Sequence, residues 1–199
     1  MSARDEILST LRSRRVRDAV RPPTYRAPAP SSDLLTQFCE CAIKENAEVR
    51  VIDSMEDVPQ AVTDFLRARN LPAIIHLPDS LLENLPWAPG MTRERSAPGP
   101  DDAALAIAPF GIAETGTLAY PASDERPASW HFRPGLEIAV LRASAILPHL
   151  ENVIARVKTA GLPHTLNLVT GPSRTGDIEQ TLELGAHGPK ALAILIVRD

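Results

Sequence analysis

The apolar residues between positions 31 and 77 switch regularly between two spacings. Over 33–45 and 57–69 they recur every three to four residues, which is the spacing of one helix face. Short apolar runs at 48–52 and 73–77 separate these segments and are typical of strands. The alternation predicts a mostly parallel sheet flanked by helices, and therefore a layered α/β fold.

The second half of the chain continues this pattern. Its apolar runs predict strands at 105–108, 116–120, 136–141, 166–169 and 191–197. The last run is continuously apolar, as expected for a strand covered on both faces. A helix is predicted from Pro148 to Gly161. The proline-rich stretch 78–102 is predicted to be a long loop with one helical turn at 79–84, either a lid or a disordered insertion.

The first thirty residues form a separate unit, here called the N-terminal arm. Positions 2–20 predict a helix with a short apolar stripe, and the prolines of 21–30 predict an extended tether, so the folded domain is expected to span 31–199. Residues 1–26 hold seven arginines against three acidic residues, which gives +4 against −8 for the remainder. A basic arm on an acidic body favours contact with a partner protein.

The overall composition narrows the class of protein. A formal charge of −4 and a pI near 5.8 argue against nucleic-acid binding, which needs a basic surface. No apolar run approaches the roughly 20 residues that span a bilayer, and no secretion signal is recognised. The two cysteines, Cys39 and Cys41, are predicted to be structural, and no metal site is expected. These features favour a cytoplasmic protein, and a homo-oligomer is compatible with them.

The segment from Gly171 to Lys190 is the first candidate site. A strand is followed by hydroxyl side chains that can cap a helix, predicted to begin at Ser173 or Thr175, and a helix start binds phosphate or carboxylate groups well. The residues predicted to bind a ligand here are Gly171, Ser173, Arg174, Thr175, Asp177, Glu179 and Gly188. Arg174 suits bidentate anion recognition, although a surface salt bridge is an equal alternative.

The histidines give only a weak indication of a catalytic or metal site in the sequence alone. His187 lies between two glycines and is a candidate for proton transfer, although an ordinary loop histidine explains the pattern as well. His131 and His149 are predicted to lie at the surface, and no histidine pair has metal-ligand spacing.

The tetrapeptide Glu114-Thr115-Gly116-Thr117 is the second candidate site. A carboxylate beside two hydroxyls and a glycine, between apolar strands, can serve as a nucleophile or base, with the other three residues helping to bind the ligand. The alternative is a tight turn in which Gly116 relaxes the backbone and the threonines bond locally.

Taken together, four stretches of the sequence resemble the lactate utilisation protein C family, whose members share the LUD domain. They are Glu114–Thr117, the strand 136–141, Gly171–Glu179 and Gly185–Lys190. The resemblance implies a three-layer fold like that of glucosamine-phosphate deaminase, ribose-phosphate isomerase and CoA transferases. The sequence departs from the family at Glu137, where a histidine is common, and at Gly176, where a small residue such as alanine is common.

The resemblance also implies a role in oxidising L-lactate to pyruvate beside two partner proteins, a cysteine-rich oxidoreductase and a cluster-binding subunit. No cofactor is expected in this chain, and the iron–sulfur clusters are expected on the partners. The leading hypothesis is therefore an accessory subunit with a small-anion site at 171–179. The alternatives are a free-standing enzyme, resembling acyl or CoA transferases or cyclo-ligases and using Glu114, and a ligand sensor without catalysis.

Overall fold

The computed structural model describes residues 2–14, 23, 25–78, 80–123, 127–176, 182–184 and 188–198. Its helices are α1 (Ala3–Ser13), α2 (Leu34–Lys44), α3 (Val58–Ala68), α4 (Ser80–Glu83), α5 (Ser129–Phe132) and α6 (Leu150–Ala160). Its strands are β1 (Glu48–Ile52), β2 (Ile74–His76), β3 (Thr92–Glu94), β4 (Ala103–Ala108), β5 (Phe110–Ile112), β6 (Thr117–Pro121), β7 (Leu136–Arg142), β8 (Ile146–Leu147), β9 (Leu166–Val169), β10 (Arg174–Gly176), β11 (Leu182–Leu184) and β12 (Ala191–Val197).

The centre of the fold is a six-stranded sheet in the order β1-β12-β7-β4-β2-β3. Every neighbouring pair in it is parallel, so all its strands start at one edge. The long inner strands β7 and β12 are almost wholly buried, because helices or a second layer cover both faces. The predicted α/β fold with a mostly parallel sheet is confirmed.

Two apolar cores lie on opposite faces of this sheet. On one face, the amphipathic helix α3 packs Val62 and Phe65 against strand residues such as Ile138 and Leu195. On the other face, Phe38 of α2 packs with residues of the sheet and with Leu118 of a second sheet. This second sheet has the order β8-β5-β6-β9 and carries α6 on its outer side. The sequence pattern predicted two of its strands, β6 and β9, but not β5 and β8, which are only three and two residues long.

The stretch 78–102 is only partly as predicted. Its predicted helical turn is confirmed as α4, which buries Leu82 completely, whereas β3 extends the edge of the central sheet where an open loop or lid was expected. Trp87 holds this segment by donating its indole N–H to the carbonyl of Leu82 at 2.9 Å. At the two ends of the helix expected after Ser173, β10 and β11 instead pair in antiparallel register, and residues 177–181 between them lie outside the described residues.

The arm begins with a helix, as predicted, and Pro28 near its end contacts His149 of the body. Ser2 and Asp5 form a capping box that starts α1, which explains a helix without tertiary support. No residue of α1 is buried, and Ile7 and Leu11 are 60% and 63% exposed. No helix in the described part of the chain is long and apolar enough to cross a membrane. The division into an arm and a domain beginning near residue 31 stays a prediction.

Candidate functional site

The tetrapeptide 114–117 forms the tight turn that joins β5 to β6. Gly116 has φ +65, a left-handed conformation that favours glycine. A Cβ at this position would lie 2.2 Å from the backbone nitrogen of Ala42. Helix α2 therefore packs directly against the turn, and Cys41 adds a weak contact from its Sγ to the carbonyl of Glu114 at 3.6 Å.

The Glu114 side chain points toward the start of α6. Its Oε1 accepts the backbone N–H of Leu150 at 3.2 Å, and its Oε2 lies 2.7 Å from Nδ1 of His149. A carboxylate at this position also interacts favourably with the helix dipole. Both oxygens are thus occupied, and the carboxylate links the β5–β6 turn to α6.

His149 joins this link to the N-terminal arm. Its Nε2 lies 3.0 Å from the carbonyl oxygen of Pro28, while its Nδ1 bonds to Glu114. A carbonyl and an ionised carboxylate only accept hydrogen bonds, so both ring nitrogens donate and the ring is an imidazolium. The bond to Glu114 accordingly raises the pKa of His149, and the Pro28 carbonyl adds to the increase, whereas partial burial opposes it. His149 is buried, which corrects the prediction of a surface residue.

A chain of hydroxyls leads from the 114–117 turn to the end of β9. Thr115 Oγ1 lies 2.7 Å from Thr117 Oγ1, which in turn lies 2.7 Å from Thr170 Oγ1. Thr117 is buried and holds the middle of the chain. The turn and the segment after β9 are therefore connected through hydroxyl groups that can donate or accept hydrogen bonds.

The loop after β9 meets the loop before β12 at this point. Gly171 has φ +68, and a Cβ there would lie 2.1 Å from the carbonyl oxygen of Glu45, at the end of α2. Ser173 donates its backbone N–H to the carbonyl of Pro189 at 2.8 Å. A Cβ on Gly188 would lie 3.1 Å from the Cβ of Ser173. Close backbone packing thus fixes the two loops against each other.

An open cleft of about 330 Å³ lies between these loops. It is lined by Phe132, Leu168, Val169, Thr170, Gly171, Pro172, Ser173, Gly188 and Pro189. A second open cleft of about 480 Å³ shares Pro172 and adds the cationic side chains of Arg69 and Lys190. Glycine-rich backbone, hydroxyls and nearby cations are the groups that bind small anions.

The structure brings together only some of the predicted site residues. Those that meet around the cleft and the adjoining turn are Thr115, Gly116, Thr117, Gly171, Ser173 and Gly188. Arg174 and Thr175 lie in β10, so the helix start on which their anion site was predicted is absent there. Asp177, Glu179 and His187 lie outside the described residues. Among the described residues, no group of three or more His, Cys, Asp or Glu side chains is placed to hold a metal ion.

A buried polar cluster, which sequence reasoning missed, lies between the two sheets. Nδ1 of His131 is 3.0 Å from Oε1 of Glu137, and the His131 ring stacks on Tyr120 with 3.6 Å between centroids. Their side chains are almost completely buried, so the surface placement predicted for His131 is wrong. Asn167 pairs with Tyr120 across β9 and β6, and directly opposed residues point to the same face of a sheet. We call these four residues the inner polar cluster.

The inner polar cluster holds four buried atoms that lack a hydrogen-bond partner among the described residues. They are Tyr120 Oη, His131 Nε2, Glu137 Oε2 and Asn167 Nδ2. An unpartnered buried polar atom costs about 1–3 kcal/mol, so such groups are uncommon. Burial raises the pKa of Tyr120 well above its usual value, and the facing carboxylate of Glu137 raises it further through its charge and as an acceptor, although the two groups do not meet the geometry of an ordinary hydrogen bond. The residue that could have indicated this cluster in the sequence is Glu137, a carboxylate inside the apolar strand β7.

Comparison with known proteins places this geometry in a family. Residues 100–197, which contain the 114–117 turn and the inner polar cluster, match the LUD domain. Lactate utilization protein C of Geobacillus kaustophilus is 31% identical over 119 residues, which are 57% of this chain and 50% of that protein. An uncharacterized protein of Neisseria meningitidis is 37% identical over 98 residues, 48% of this chain and 42% of that one.

A solved structure shares the fold. A DUF162 family protein from Deinococcus radiodurans superposes with a TM-score of 0.60 and 19% identity, covering 85% of this chain and 99% of that one. This similarity confirms the fold. The chain spans about half the length of the curated relatives it matches. Residues 100–197 thus form a LUD domain, and the chain is similar over this region to several proteins named lactate utilization protein C.

Proposed function

We propose that the chain is an accessory subunit of a lactate-utilisation system and binds a small carboxylate or phosphate in the cleft between Thr170–Ser173 and Gly188–Pro189. The names of several relatives support the system. The iron–sulfur chemistry of L-lactate oxidation would then belong to two cysteine-rich partner proteins, because this sequence offers two cysteines.

The cleft itself is the observation that carries the anion site. Its wall combines the hydroxyl of Thr170 with the backbone of two glycine-containing loops, and the Thr115–Thr117–Thr170 chain supports that hydroxyl from behind. A hydroxyl held in place by another hydroxyl is already oriented for a ligand, so binding loses less entropy. Arg69 and Lys190 in the adjoining cleft supply positive charge, although each also forms an ion pair with a surface carboxylate.

Calorimetric titration with L-lactate, pyruvate and inorganic phosphate tests the anion site directly. Thr117→Val removes the central hydroxyl of the chain and keeps the shape of the side chain, so it should weaken binding of the preferred anion about fivefold to tenfold. Thr159→Val is the matched control, since the Thr159 hydroxyl only bonds within α6. If the unmodified protein binds none of the three anions measurably, the proposal is contradicted.

The arm is proposed to bind the partner proteins. Ile7 and Leu11 expose an apolar stripe on a helix that buries no residue of its own, and the surrounding arginines are complementary to an acidic surface. Co-expression with the two cluster-bearing proteins, followed by affinity purification, should recover a complex. The double variant Ile7→Ser/Leu11→Ser should lose it, while Leu162→Ser, at an equally exposed position, should keep it. Full recovery with the double variant would exclude the stripe from the interface.

A free-standing enzyme that uses Glu114 is the second candidate, and the 2.7 Å contact with His149 is the observation in its favour. The geometry favours a supporting role, because both Glu114 oxygens are already engaged. Glu114→Gln, assayed for acyl-CoA or ATP-dependent turnover, separates the candidates. Loss of a measurable turnover in a folded variant would favour the enzyme. A sensor without catalysis would instead show stabilisation by an anion and no partner.

A further inference from the structure

The inner polar cluster has the organisation of a binding site. Its four side chains come from β6, α5, β7 and β9, and they converge between two sheets. Glu137 lies on the face of β7 that packs toward the second sheet, and it shares this face with the buried residues Ala139 and Leu141. Polar groups on separate elements converge in this way where a fold holds a ligand on a rigid framework.

The contacts within the cluster fix the direction of its free atoms. Glu137 Oε1 holds Nδ1 of His131, and the stacked ring of Tyr120 holds the imidazole plane at 18° to its own. His131 is therefore oriented by a carboxylate, while its Nε2 has no partner among the described residues. A histidine whose second nitrogen is held by an acid is a prepared hydrogen-bonding or proton-transfer group.

The free atoms also define the chemistry of a ligand. Glu137 Oε2 accepts only and requires a donor, whereas the Asn167 amide nitrogen donates only and requires an acceptor. A hydroxyl group donates one hydrogen bond and accepts up to two, so it can satisfy both of these atoms and also accept a bond from Tyr120 Oη. A charged group added to so buried a site would be costly, so the ligand group that enters should be uncharged.

We propose that Tyr120, His131, Glu137 and Asn167 form a buried binding site for the uncharged, hydroxyl-bearing end of a small ligand. The cleft wall includes Val169, which lies on the same face of β9 as Asn167, and Phe132, the chain neighbour of His131, so the site adjoins the anion cleft. A hydroxy acid would place its hydroxyl among the four side chains and its carboxylate in the cleft. The inference rests on the proposed function only for the charged end of the ligand.

A comparison of L-lactate with propionate tests the site, because the two acids differ by one hydroxyl. We expect the full-length protein to bind L-lactate at least about tenfold more tightly, since a site built around a hydroxyl discriminates against its loss. Tyr120→Phe removes one oxygen and keeps the packed ring. It should reduce this preference about tenfold while leaving the melting temperature of the free protein unchanged or higher, because an unpartnered buried hydroxyl is removed. Tyr25→Phe, at an exposed position, should change neither value.

Three outcomes would overturn the inference. One is equal affinity for L-lactate and propionate. Another is a Tyr120→Phe variant that melts at a lower temperature and keeps the preference, because the cluster would then be purely structural. The third is a crystal structure grown with L-lactate in which an ordered water alone bonds the four side chains.

Propane-1,2-diol, which has hydroxyls and no charge, separates this inference from the proposed function. Titration of the diol should shift the Nε2 resonance of His131 in a nitrogen-15 spectrum. A diol response without any anion binding would support the cluster and contradict the anion cleft. Binding of propionate and phosphate with no diol response and no hydroxyl preference would support the cleft and contradict the cluster. No response to any probe would contradict both.

Discussion

Replacing Gly171 by alanine measures how closely α2 approaches the cleft. The new Cβ would lie 2.1 Å from the carbonyl oxygen of Glu45. Gly90 is the matched control, because it also has a positive φ, +94, and a Cβ there would meet no atom within 4 Å. The two substitutions thus share the backbone cost of a left-handed alanine, and only Gly171→Ala adds a collision.

The magnitude follows from these two contributions. A non-glycine residue in a left-handed conformation costs about 1–2 kcal/mol, which applies at both positions. At 2.1 Å the overlap with Glu45 is on the order of 1 Å and involves backbone, so the end of α2 must move. Overpacking of this kind costs about 1–3 kcal/mol more. We therefore expect about 2–5 kcal/mol for Gly171→Ala and about 1–2 kcal/mol for Gly90→Ala.

Urea denaturation followed by circular dichroism gives both values from midpoints at a common slope. Each kcal/mol of lost unfolding free energy should also lower the melting temperature by about 2–4 °C for a chain of this size. Because Gly171 lines the cleft, the variant should bind phosphate more weakly than the control does. Equal destabilisation by the two substitutions would refute the close contact between α2 and the cleft loop.

Three further predictions concern the links around the site. Because the pKa of His149 is raised, its contribution to stability is complete below pH 6.5, the ordinary value, and is lost as the pH rises through the folded-state pKa. In chemical denaturation, the stability advantage of the wild type over His149→Gln should therefore shrink above pH 6.5. An advantage that stays constant with pH would exclude the imidazolium. Glu114→Ala removes an acceptor from the first turn of α6 and should cost about 0.5–2 kcal/mol in the same assay, whereas unchanged stability would deny the link to Leu150. Leu82→Ala should cost about 2–5 kcal/mol, while Leu81→Ala, at a position 68% exposed, should cost under about 0.5 kcal/mol; similar values for both would mean that α4 does not pack on the core.

The long strands of the central sheet could be predicted from the sequence, because their side chains report burial directly. Seven consecutive apolar residues form β12, whose observed bounds are those predicted. Strand β3 was missed because Thr92–Glu94 is a polar edge strand of three residues, which leaves no periodic signal. Its place is set by pairing with β2, a contact between distant parts of the chain.

The candidate site could be predicted only in part, because some of its features are local in the sequence and others depend on contacts between distant residues. The tight turn at Gly116, one of the two alternatives for 114–117, is confirmed, since the conformation of a glycine is a local property. Ser173 and Thr175 fit a helix cap, but β-branched Thr175 also fits a strand, and pairing with β11 decided between them. The inner polar cluster depends on four elements that meet only in three dimensions, so no sequence window contains it.

The order of the central sheet has a consequence for biosynthesis. Strand β12 lies between β1 and β7, so the first strand of the sheet has no neighbour within it until the twelfth has been made. During translation β1 must wait for a partner about 140 residues later, and contacts of such long range close slowly. The apolar strands β4 and β7 also await full cover, which makes the nascent chain prone to aggregation. We expect its yield in cells to depend on chaperones more strongly than its final stability suggests.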